Sequence, residues 1–193
     1  MAFDIASRNR LNNLVSIVRS ILTEDIILQL QQNCGMDPYS GDVSDLSDLS
    51  HLNDKELETA RVIREVMEHY LSTESSSGEA ARKKAIERIA REQAFTVLNR
   101  LAALKMMESR DILVESVSKG IQSEGFSMYH SVAANSLGDS NETYRYFLFS
   151  LFDFFTTELP VLFDRNSPQS RLFPGDQTLA KVLEKINQPE LES

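Results

Sequence analysis

The residues able to do chemistry are few and scattered. The three histidines, His51, His69 and His130, are far apart. None of them pairs at the i, i+4 spacing with which a helix holds a metal. A single cysteine, Cys34, excludes a disulfide framework and a cysteine-based zinc site within one chain. The glycines at 35, 41, 78, 120, 125, 138 and 175 never cluster, so there is no phosphate-cradling loop. A Gly-x-Ser-x-Gly elbow is also missing. Neighbouring carboxylates such as Glu24-Asp25, or Glu56 and Glu58, are what any acidic helical surface carries. No catalytic, cofactor-binding or metal-ligating residue is expected.

The strongest charge feature is a basic cluster: Arg82, Lys83, Lys84, Arg88 and Arg91. Between 78 and 110 there are eight basic and four acidic residues, in a chain of net charge −9. Two readings stand. One is a solvated helix face making i, i+4 pairs with Glu87 and Glu92. The other is a face that contacts phosphates or a partner. No aromatic residue alternates with the basic ones, which argues against base stacking along a single strand.

The elements that would position these residues are helical. Leu11, Leu14, Val15, Val18, Ile21 and Leu22 form an amphipathic stripe, which predicts a helix from Phe3 to about Asn33. Thr23-Glu24-Asp25 is expected to break it, with Thr23 capping a second piece and Gly35 closing it. Residues 35–54 read as turns pinned by Val43, Leu46, Leu49 and Leu52. A second helix is expected over about Asn53 to Leu71, with Asn53 and Glu56 in a loose capping box. The polar stretch 73–78 reads as a linker between an N-terminal subdomain, 1–72, and a second one, 79–193.

The longest helix is expected over about Glu79 to Ser109. Ile86, Ile89, Val97, Leu101, Leu104 and Met107 share one side, with Lys84, Arg88 and Arg91 opposite. Phe95 points to the basic side, which suggests cover on both sides. Arg100 falls inside the apolar stripe and needs a carboxylate or carbonyls if it is buried. Short helical pieces follow around 127–134. Six of the ten Phe then lie between 147 and 163. That density predicts a helix buried on most sides, ended or kinked by Pro160. Residues 161–173 suggest at most a short β-hairpin, and Asp176 is positioned to cap a last helix. No βαβ alternation is present. The expected class is mostly α, an irregular multi-helix bundle.

The chain has 193 residues, 41% hydrophobic and 25% charged, which is an ordinary folded composition. No apolar run reaches the roughly 18 residues of a membrane span. No basic start followed by an apolar block marks a secretory signal. The expected location is therefore cytoplasmic, with no membrane partner. Net acidity argues against non-specific coating of nucleic acid.

The stretch from Arg91 to Arg110 resembles a helix near the N-terminus of large adenine-specific DNA methyltransferases. These belong to phage-defence (BREX PglX-like) and fused restriction-modification systems. Phe95, Asn99, Arg100, Leu101, Leu104, Lys105, Met107, Glu108 and Arg110 match that helix. Gly125-Phe126-Ser127-Met128-Tyr129-His130, Val161-Leu162-Phe163-Asp164-Arg165 and Leu172-Phe173-Pro174 are similar to its downstream text. The resemblance covers about 90–190 well and the first 70 residues more loosely. It implies a helical module, a fragment or a stand-alone chain, of an enzyme that methylates adenine N6. Its partners would be DNA and the catalytic methyltransferase domain.

The family's Asn-Pro-Pro-Tyr motif is absent from this sequence. Asp37-Pro38-Tyr39-Ser40-Gly41 is similar in letters to its S-adenosylmethionine loop, but an amphipathic helix precedes it where a buried strand is needed. It reads as a helix-ending turn. The chain alone is therefore expected to bind no S-adenosylmethionine and to be inactive, although the parent family uses that cofactor. The alternative is a free-standing interaction or regulatory protein, with the aromatic block in an oligomer or partner interface.

Overall fold

Val18, Leu22, Ile26, Leu30 and Cys34 recur every fourth residue, and all five are fully buried. The computed structural model describes residues 5–73, 77–133 and 139–188. In it this stripe holds together one helix, α1, over Ile5–Cys34. The expected break at Thr23 does not occur. Apolar burial on either side of it outweighs the local pull of Thr and Asp toward a cap. Gln29 donates to Asp25 at 2.7 Å and to the Phe173 carbonyl at 3.0 Å, which occupies the Asp25 carboxylate within the helix. Gly35 closes α1 at φ +63, and the Met36 N–H reaches back to the Leu30 carbonyl at 3.0 Å. That is the left-handed C-terminal cap that glycine favours.

Residues 36–52 are turns: an isolated bridge joins Met36 and Val43, and one 3₁₀ turn covers Leu46–Asp48. Three groups hold the Asp37 carboxylate: the Tyr39 N–H, the Ser40 hydroxyl and the Gln31 amide. The Tyr39 N–H is the main reason its pKa lies below the ordinary 3.8. This segment is a self-bonded turn.

Helix α2 spans Asp54–Thr73. Its capping box is formed in full. Asn53 Oδ1 accepts from the N–H groups of Lys55 and Glu56, both at 3.0 Å, and Glu56 accepts from the Asn53 N–H at 2.8 Å. Helix α3 spans Glu79–Glu108. It ends on Asp111, which takes φ +57. The Asp111 N–H bonds the Glu108 carbonyl and the Ile112 N–H bonds the Met107 carbonyl, both at 3.0 Å. This is a Schellman turn with aspartate where glycine is usual. Asp111→Gly is therefore expected to raise stability by about 0.5–1 kcal/mol, because it removes the left-handed penalty of a Cβ. Urea denaturation midpoints would check it.

Four further helices follow: α4, Glu124–Ala133; α5, Ser140–Thr156; α6, Pro160–Phe163; and α7, Asp176–Ile186. Asp139 caps α5 by accepting from the N–H groups of Asn141 and Glu142. Helix α5 is not buried on most sides as its aromatic density suggests. Tyr144, Phe147, Leu148 and Phe152 face the core, while Phe154 is 73% exposed. The expected hairpin over 161–173 is replaced by α6 and a 3₁₀ turn at Pro168–Ser170. Prolines at the start of both segments favour a helical first turn. Asp176 does not cap α7: Gly175 holds that position, and the Asp176 carboxylate accepts from Arg145.

The fold is thus mostly α, with seven α-helices and no strand among the described residues. None of these helices is long and apolar enough to cross a membrane. The chain forms two compact units. One contains 1–22, 97–165 and 174–193, and the other contains 23–96 and 166–173. The segment 73–78 falls within the range of the second unit, and residues 74–76 lie outside the described ones. The second unit packs Ile26, Leu30, Met36, Ile63, Ile86 and Ile89 into one core. The first is built on aromatic rings: Phe126 meets Tyr144 edge-on at 5.2 Å, and Phe152 stacks on Phe163 at 5.8 Å.

Candidate functional site

The basic cluster lies along the first half of α3, where Ala81, Ala85, Ile86, Ile89 and Ala90 are buried and set the exposed side. Most of its charges are already engaged. Arg82 Nε donates to the Gly41 carbonyl at 2.6 Å, and Lys83 pairs with Glu79 at 2.6 Å. Arg91 lies 3.8 Å from Glu87. Arg88 pairs with Glu92 at 2.9 Å, and its guanidinium lies 3.9 Å from the centre of the Tyr70 ring. Glu92 in turn accepts from the Tyr70 hydroxyl. Burial first, and then this carboxylate, push the Tyr70 phenol up to about 12. Lys84 has no ion-pair partner among the described residues and is exposed.

Phe95 continues the same exposed stripe and is 52% exposed, so the helix middle is not covered on both sides. The face is consequently a line of i, i+4 pairs with Lys84 and Arg91 as its most available cations. Pairs of this kind between exposed side chains hold loosely and exchange readily with an incoming anion.

Arg100 is 2% exposed in the other unit. Its Nε donates to the Leu162 carbonyl at 2.7 Å, and Nη2 donates to the Asp164 carbonyl at 2.8 Å. The Phe152 ring lies 5.2 Å from the guanidinium carbon. Burial, together with nearby Arg165, pulls its pKa down to about 10, which leaves it charged at neutral pH. Sequence reasoning finds Arg100 but not its partners, because residues 62 and 64 positions away are invisible to helical periodicity.

Two neighbouring contacts escape the sequence reading altogether. Glu108 accepts from the N–H groups of Ser116, Val117 and Ser118 and from the Ser118 hydroxyl. Lys105 donates to Asn187 at 2.6 Å, and Asn187 passes a hydrogen bond on to the Val117 carbonyl at 2.8 Å. One signal for Glu108 exists. A carboxylate in the last turn of a helix opposes the macrodipole, so its charge must have another use.

Several of these contacts lie within one unit. Arg100 and Glu108 on α3 hold the backbone around 162–164 and 116–118, and Lys105 reaches the Val117 carbonyl only through Asn187. Gly125 belongs to the same arrangement: its N–H bonds the Glu115 carbonyl at 2.8 Å. A Cβ at Gly125 would come within 2.7 Å of the Ser116 hydroxyl and 2.9 Å of the Glu115 carbonyl. The polar groups here hold turns, and Lys105, Glu108 and Ser118 also line a groove beside α1. Among the described residues there is also no cluster of three or more His, Cys, Asp or Glu that could hold a metal. Comparison with protein-family models, curated proteins and solved structures finds no match.

Proposed function

We propose that this chain is a non-catalytic helical module resembling the N-terminal part of a site-specific adenine-N6 DNA methyltransferase of a phage-defence or restriction-modification system. It would act in the cytoplasm beside a catalytic domain that carries the S-adenosylmethionine site. The observation that supports this reading is the use made of the resembling residues. Arg100 and Glu108 clamp backbone groups directly and Lys105 does so through the Asn187 side chain, which fits a scaffold. The basic stripe of α3 is the candidate contact to DNA, through Lys84 and Arg91 with Arg88 beside them.

Titration of the chain with S-adenosylmethionine should release no heat, and no methyl group should pass to DNA. Duplex DNA should bind with a steep salt dependence. The pair Lys84→Glu and Arg91→Glu should weaken it and flatten the slope of log K against log salt by about one for each phosphate that is no longer neutralised. Cofactor binding by this chain alone would overturn the non-catalytic reading. DNA binding unchanged by the two reversals would remove the stripe from it.

A second reading has its own support. Phe154, Leu159 and Val161 leave apolar surface at the end of α5 and on α6, with Val161 fully exposed. A free-standing interaction or regulatory protein would use such a surface for a partner.

A further inference from the structure

The N-terminal half of α1 and the turn that follows α3 wall a groove of about 1290 Å³. Leu11, Leu14 and Val15 line it from α1, and Met106, Ile112 and Val114 line it from the opposite side. Apolar side chains are left in the open there: Leu11 is 42% exposed, Met106 55% and Ile112 64%. Pockets for small ligands run to about 300–1,000 Å³, so this groove is on the scale of a helix.

The α1 wall contributes Arg10 as its one charge, while the other side carries Glu108, Asp111, Glu115 and Glu124 against a single Lys105. Residues 5–22 contain three arginines and no carboxylate. Arg8 and Arg10 have no carboxylate partner among the described residues. Across the groove stand Asp111, Glu115 and Glu124. Glu115 pairs with Lys119 at 3.0 Å, but Asp111 and Glu124 have no cationic partner among the described residues. One molecule therefore carries both halves of a complement: a basic helix with an apolar stripe, and an apolar wall edged with carboxylates. A two-fold axis satisfies both at once, because in such an interface each surface meets its counterpart on the other copy.

We propose that a second copy of this chain fills the groove. Its α1 lays Leu11, Leu14 and Val15 against Met106, Ile112 and Val114, and its Arg8 and Arg10 meet Asp111 and Glu124. The two α1 segments run antiparallel, and each covers the other copy's wall. This pairing does not rest on the methyltransferase reading, and it uses a surface separate from the basic stripe and from α5.

Sedimentation velocity on the full chain tests it. At tens of micromolar in low salt the protein should sediment as a dimer, and salt should weaken the dimer by screening the charge pairs. Arg10→Glu should raise the dimer dissociation constant by about tenfold or more, equivalent to about 1.4 kcal/mol. Adding Glu124→Arg to that variant should restore the dimer, which loss of a merely structural residue would not allow. Ile112→Asp should give a monomer with unchanged helical circular dichroism. Should that variant lose helix, the exposed Arg10 and Glu124 exchange still decides the matter. A wild-type monomer in low salt, or a dimer indifferent to the Arg10→Glu reversal, would overturn the proposal.

Discussion

Arg100→Ala is expected to lower folding stability by about 3–5 kcal/mol, the range for stripping one partner from a buried charged contact. The guanidinium spans two carbonyls, Leu162 at 2.7 Å and Asp164 at 2.8 Å, and is almost wholly removed from water. Truncation leaves both carbonyls in a dry site, and each unsatisfied group costs about 1–3 kcal/mol. It also leaves a void beside Phe152, whose ring packs against the guanidinium. Arg100→Met fills that void and leaves the carbonyls bare, so it should recover only part of the loss. Arg100→Lys supplies one ammonium where two donors are held in a fixed fork, and should fall between wild type and alanine. Urea denaturation of the three variants would establish the order. A loss below about 1 kcal/mol for alanine would mean that water reaches the two carbonyls.

The second large effect is expected at Glu108. One carboxylate organises three successive backbone N–H groups and a hydroxyl, from Ser116 to Ser118. Hydrogen bonds to a charged group contribute about 1.5–3 kcal/mol each, and they share one acceptor here, so Glu108→Ala should cost about 3–4 kcal/mol in total. Glu108→Gln is the more informative change. It keeps the shape but turns one oxygen into an amide that points its own donors at donors. It should therefore cost nearly as much as alanine. Hydrogen exchange would localise the effect, with the amides of 116–118 losing protection before those of α2. Equal protection in wild type and Glu108→Gln would show that the turn is held by something else, such as the Tyr144 hydroxyl, which donates to the Ser116 carbonyl at 2.8 Å.

The helices were legible wherever apolar spacing and a local cap agreed. Asn53 and Glu56 announce α2, and Gly35 announces the end of α1, because both signals act within a few residues. The reading failed where a distant contact decides. Thr23 looks like a cap until Ile26 and Leu30 are seen to be buried on the same helix as Val18 and Leu22. The aromatic block looks central until Phe154 is seen in the open. Composition reports how many rings a helix has, while their placement around the axis decides how many are covered. At the candidate site the basic stripe and its i, i+4 pairs with Glu87 and Glu92 were legible from spacing alone, while the Lys83 pair with Glu79 and the Arg82 bond to the Gly41 carbonyl were not. The Glu108 and Lys105 contacts join loops with no periodic signal. Only the dipole mismatch at the end of α3 hinted at one of them.

The division of the chain also constrains how such a protein can change over generations. One unit is assembled from three stretches of sequence and the other from two, and both α1 and α3 contribute residues to each. A single crossover therefore cannot exchange one unit and leave the other whole. Recombination would split a helix, or strand the short 166–173 stretch from the residues it packs with. Descent by substitution within an intact chain is the route this architecture favours.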